Sequence, residues 1–174
     1  MSQETIDPRP FWVRWQARDW AFFLLQMFLG IRLFVAGVAK FNGPQGLSFS
    51  HFYGQVMPAL SQPFLEKTFL PGWSVKLYLG TLPYVEILIG AGILVAGRNR
   101  VPLVMAGVLF LSLAFGQMLI GGHTTVADIA IHLALTVMAL LLVEETGKKV
   151  ESLKELEKTM GTMNYQRMMK TYKK

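Results

Sequence analysis

Four apolar stretches, at residues 20–41, 77–97, 101–121 and 126–143, occupy most of the middle of this 174-residue chain. A helix crosses the hydrocarbon of a bilayer with roughly 20 mostly apolar residues. Backbone inside lipid must satisfy its own hydrogen bonds, so segments of this length and character fold as helices there. The composition agrees, with 52% hydrophobic and 16% charged residues, against about a quarter charged in soluble domains. The chain has no cysteine, which removes disulfides, thiolate metal sites, iron-sulfur ligation and quinone reduction through a cysteine pair.

These stretches predict an all-α integral membrane protein, a four-helix up-down bundle of one domain. The link Arg98-Asn99-Arg100 and the link Gly122-His123-Thr124-Thr125 are too short for anything but antiparallel neighbours. The expected division is a cytoplasmic N-terminal segment at 1–19, a transmembrane domain at 20–143 and a basic cytoplasmic tail at 144–174. The first segment lacks a small-residue cleavage site after an apolar core, so the first span is expected to be retained. Lys and Arg gather in the N-terminal segment (Arg9, Arg14, Arg18), the second link (Arg98, Arg100) and the tail, which predicts both termini in the cytoplasm. The net charge of +6 then reflects the cytoplasmic face and anionic lipid; no nucleic-acid partner is expected.

Residues 42–73 are too many for a tight turn and too rich in aromatics and Leu for a soluble loop, with breaks at Pro44, Pro58, Pro63 and Pro71. They predict short amphipathic or re-entrant pieces that cap the outer end. In the tail, Val150, Leu153, Leu156 and Met160 recur at helical spacing between Lys and Glu, which predicts an amphipathic surface helix on lipid or on a partner. Small residues such as Gly30, Gly37 and Gly90 are expected to allow close helix packing. The aromatics near span ends, Tyr78 among them, are expected as interface anchors.

Ionisable residues inside the spans cost at least about 2.5 to 3.5 kcal/mol each at mid-bilayer and so tend to pair and to mark function. Arg32 and Glu86 each fall about halfway through a span, and depth alone makes them the expected ion pair. Lys40 lies two turns further out, Asp128 and His132 share a face of the fourth span at i, i+4 spacing, and Gln117 lies at a similar level. Together they predict a polar pocket in the outer half of the bundle. Arg32 and Lys40, with Glu86 and Gln117, would bind a small anion or a quinone head group, and His132 with Asp128 would handle protons. The competing reading is a set of ion pairs that fix helix register. A haem is not expected, since His51 and His123 fall in loops and His132 lacks a second axial ligand. No metal is expected, because His132, Asp128 and His123 match no familiar ligand spacing.

The first span, Gly30-Ile-Arg32-Leu-Phe-Val-Ala-Gly37-Val-Ala-Lys40-Phe41, followed by the capping loop, by Glu86-Ile-Leu-Ile-Gly90 and by the basic link Gly97-Arg98-Asn99-Arg100, resembles the DoxX/DoxD-like family over about residues 20–143. The resemblance implies four membrane helices in a bacterial or archaeal cytoplasmic membrane. It also implies a role as the small membrane subunit of a thiosulfate:quinone oxidoreductase or a relative, with a quinone as candidate cofactor and other membrane or peripheral subunits and lipid as partners. This chain cannot supply electrons itself. The alternatives are a non-catalytic accessory subunit of a respiratory or photosynthetic complex and, less well supported by four spans without repeats, a small transporter.

Overall fold

The structure, a computed structural model, describes residues 15–143 together with Lys158. The expected tail helix and the residues before Trp15 lie outside the described residues. Among the described residues four helices are long and apolar enough to cross a membrane: α1 (Ala17–Ala39), α4 (Gly72–Val95), α5 (Arg100–Ile120) and α6 (His123–Val143). Between α1 and α4 come a small hairpin, β1 (Asn42–Gly43) and β2 (Gly46–Leu47), and two helical pieces, α2 (Phe49–His51) and α3 (Met57–Lys67). The chain is thus an all-α four-helix bundle with a structured cap, as expected, and its helices are those of a multi-pass membrane protein. The end carrying α2 and α3 is here the capped end, and the end carrying Trp15 and Arg98 the terminal end.

Helix α4 begins at Gly72, five residues before the apolar run that predicted it, and α6 begins at His123, three before. Both extensions have local causes. Pro71 holds an extended conformation just ahead of α4, as a proline before a helix start does. At the other boundary Gly121 adopts φ 81°, which closes α5 and turns the chain directly into α6.

The tightest seam in the bundle joins α1 to α4. A Cβ on Gly37 would lie 2.6 Å from the Pro83 carbonyl oxygen, and one on Gly90 would lie 2.5 Å from the Phe34 nitrogen and 2.8 Å from the Gly30 oxygen. Gly30 and Gly37 are seven residues apart, as are Pro83 and Gly90, so small residues return to the same face of each helix every two turns. With no hydrophobic drive between helices in lipid, backbone contact of this kind is what holds them. Gln26 adds a buried hydrogen bond across the seam, its Nε2 donating to the Ile93 carbonyl at 2.5 Å. The ring then closes through Gly92 beside Pro102 (α4 to α5), Gly107 beside Thr136 (α5 to α6) and Phe28 beside His132 (α6 to α1). Leu29, Ala106, Thr136 and Ala139 are fully buried at its centre.

The α1–α4 register leaves a gap at the capped end. Gly37 faces Pro83, and α1 ends two residues later at Ala39, whereas α4 runs eleven residues back from Pro83 to Gly72. The overhang is about nine residues, or roughly 13 Å. The cap fills it: Met57 and Tyr53 lie against Gly80, and Phe64 lies against Gly116. Because this chain runs alongside a membrane helix, it must bond its own backbone, and it does so with almost continuous helix from Phe49 to Lys67. The stretch Phe52–Val56 is wound as a π turn, in which the Met57 N–H bonds back to the Phe52 carbonyl. The extra residue is absorbed immediately before Pro58, which has no N–H to continue a regular ladder.

Candidate functional site

The polar groups within the spans do not converge on one pocket; they divide among three places, of which two carry charge. The first is the α1–α4 seam, where Lys40 Nζ contacts Glu86 Oε2 and also donates to the Ala36 carbonyl at 3.4 Å. The expected pairing of Arg32 with Glu86 is therefore corrected: Glu86 pairs with Lys40. The reason is azimuth. Successive residues of a helix are turned by 100°, so Lys40 stands about 60° from Gly37, the residue pressed against α4, whereas Arg32 stands about 140° away. Depth placed Arg32 near Glu86, but the helix faces it elsewhere. The Glu86 side chain is 5% exposed and that of Lys40 21%, so the two charges are spent on each other.

The second place is the α1–α6 face. Arg32 and Asp128 are both exposed there, and neither side chain has a hydrogen bond or ion pair among the described residues. His132 lies beneath them, its ring stacked on Phe28 (5.9 Å between centroids, 15° between planes) and tilted against Phe110 at 5.6 Å. Its Nδ1 is 2.7 Å from the main-chain carbonyl of Asp128. A carbonyl only accepts, so Nδ1 is the donor in this contact. The Asp128 carboxylate does not orient the imidazole, and the expected His132–Asp128 relay is not formed in this arrangement. The His132 carbonyl accepts from Thr136 Oγ1 at 2.8 Å.

Gln117 stands apart from both groups. It lies at the end of α5, where its main-chain carbonyl accepts the Gly122 N–H at 2.8 Å and helps turn the chain into α6.

The third place was not anticipated as a site. A cleft of about 250 Å³ opens between α4 and α5 below the cap, lined by Phe64, Leu70, Val75, Leu79, Phe115, Gly116 and Leu119. Its polar groups are hydroxyls: Ser74, Tyr78 and Ser112. Tyr78 Oη and Ser112 Oγ are 2.9 Å apart, and Ser112 Oγ donates to the Leu109 carbonyl at 2.8 Å. Tyr78 therefore donates to Ser112 and keeps its own lone pairs for an incoming group. Tyr78 and Phe115 remain exposed at the rim, on helices that span the membrane, so the cleft is reached from the lipid. The sequence held a signal for it. Tyr78 is six residues from the capped end of α4 and Ser112 eight from that of α5, a matched depth on antiparallel neighbours.

The terminal end carries an ion pair of another kind. Arg98 contacts Asp19 and lies 5.7 Å from the centre of the Phe22 ring, pinning the second link to the first turn of α1. Asp19 also accepts the Gln16 N–H at 2.9 Å and so caps that helix. No family model, curated protein or solved structure matches the chain.

Proposed function

We propose that the chain is the membrane subunit of a quinone-linked oxidoreductase, that the cleft between α4 and α5 receives the quinone ring, and that a partner subunit supplies the electrons. The observation that carries this reading is the cleft itself: apolar walls, a lipid-facing mouth and a small group of hydroxyls at one depth. Ligand sites are typically mostly apolar hollows with a few placed polar groups, and a volume of about 250 Å³ suits a ring whose isoprenoid tail stays in the lipid. A quinone supplies the two-electron, two-proton chemistry; Tyr78 and Ser112 would orient its oxygens, and the walls would keep water away.

Of the two ligands weighed from the sequence, the quinone fits better than a thiosulfate-like anion. Lys40 is held by Glu86 and is not available to bind a second anion, and among the described residues no cation lines the cleft. The accessory-subunit reading keeps one specific observation in its favour, since the Lys40–Glu86 pair satisfies itself as a structural pair does.

The test is binding of a short-chain benzoquinone to the purified protein in detergent, followed by quenching of tryptophan fluorescence. Ser112→Leu, which fills the cleft and removes one hydroxyl, should weaken binding at least about tenfold while leaving the melting temperature near that of the parent. Saturable binding that is the same in Ser112→Leu, or no saturable binding in the parent, would retire the quinone site in favour of the accessory subunit.

A further inference from the structure

The geometry points to a second copy of this chain as the partner of the α1–α6 face, with Arg32 of each copy paired to Asp128 of the other. Copies inserted in the same orientation can be related only by a two-fold axis along the membrane normal, so residues meet across such an interface only at equal depth. Arg32 and Asp128 satisfy that condition. Phe28 and His132 stack at 5.9 Å, α1 and α6 run antiparallel, and each charged residue lies four residues, one turn, further toward the capped end. Both are exposed, both lie within spanning helices, and they carry opposite charge. A charge of either sign facing lipid is costly and ordinarily finds a partner; the two-fold supplies two such pairs at once. The surroundings suit a helix–helix contact, since Phe28 and Val35 on α1 and Ile131 on α6 are exposed apolar neighbours of the two charges.

An exchange of charge between differently tagged copies tests this without changing the rest of the face. Arg32→Asp places two acids on one chain, and Asp128→Arg places two cations on the other. Each variant alone should dimerise roughly a hundredfold more weakly than the parent, on the scale of one charge left in lipid. Expressed together, they should co-purify as a mixed dimer, because acid then faces cation at both contacts. Pairing within one chain could not produce that rescue. A parent that is monomeric in lipid nanodiscs, either variant dimerising as well as the parent, or two variants that fail to co-purify would overturn the inference. Should a variant fold poorly, the absence of native cysteine offers a milder probe. Chains carrying Arg32→Cys and Asp128→Cys, expressed together and oxidised in the membrane, should give a cross-linked pair. Absence of that product, or a cross-link that forms only within a chain carrying both changes, would equally overturn it.

Discussion

Removal of one partner from the Lys40–Glu86 pair is expected to cost far more than removal of both. Breaking a buried pair costs about 3 to 5 kcal/mol, because the remaining charge is left without a partner, whereas replacing both residues by neutral ones of similar volume is often close to neutral. The two single changes should differ. With Glu86→Gln, Lys40 stands at the end of α1 on a long flexible stem, 21% exposed, and can turn its ammonium toward the interface. That places the loss at or below about 3 kcal/mol. Lys40→Met strands a carboxylate that is 5% exposed on a short side chain in the tightest seam of the bundle, so the loss should approach about 5 kcal/mol. The double variant should recover most of this and cost only about 1 to 2 kcal/mol, which makes the coupling energy of the double-mutant cycle large, on the order of 6 kcal/mol. The assay is reversible unfolding in mixed micelles, followed by helical circular dichroism. Arg32→Met serves as the internal control: combined with Glu86→Gln it should be additive. Coupling of Glu86 to Arg32 rather than to Lys40 would refute the helix register from which the whole arrangement of charges is derived.

Three further outcomes follow from the packing. Gly90→Ala should destabilise by about 1 to 3 kcal/mol, because its Cβ would meet backbone at 2.5 Å, whereas Gly92→Ala, whose Cβ would meet Pro102 at 3.6 Å, should be nearly silent; melting temperatures of the two decide this. Gln26→Leu should cost up to about 1.7 kcal/mol, the upper range for one interhelical hydrogen bond in a membrane, read by the same unfolding assay. Arg98→Gln should cost under about 1 kcal/mol and the difference should shrink with added salt, since its bridge to Asp19 is exposed, with side chains 41% and 28% accessible; a large, salt-independent loss would contradict that reading.

Hydropathy alone made the number of spans and their antiparallel order legible, because lipid enforces helix on any apolar run of that length. Their ends were less so. Residues 72–76 are not apolar enough to extend the second run, and the chain becomes helical there because Pro71 sets the start and the cap packs alongside. Charge pairing was legible only in depth. A depth argument locates a residue along the axis but says nothing of its azimuth, and the five-residue step from Arg32 to Gly37 carries Arg32 to the far side of the helix. Using Gly30, Gly37 and Gly90 as markers of the seam would have selected Lys40. Tyr78 and Ser112 were individually unremarkable as an interface aromatic and an isolated serine. Their meaning comes from the α4–α5 register, which brings the two hydroxyls to 2.9 Å.

The cap and the cleft trace to the same cause, the register of the α1–α4 seam. Pressing Gly37 against Pro83 ends α1 about 13 Å short of the start of α4. The chain must then climb that distance beside a membrane helix, and it can do so only as hydrogen-bonded structure with an apolar surface. That requirement accounts for the aromatics between α1 and α4, for the helix held through two prolines, and for Tyr53 bonding to Tyr84 at 3.1 Å where cap and span meet. A helix leaning on α4 and α5 from outside cannot follow both grooves at once, and the space it leaves, bounded by Phe64 and Leu70, is the cleft. The same shortness of α1 sets the depth of the pair: Lys40, the C-cap residue just past Ala39, turns back one turn to reach the Ala36 carbonyl and Glu86. The glycines that fix the register therefore govern both the buried charge pair and the lipid-facing hollow, although none of them lines either one.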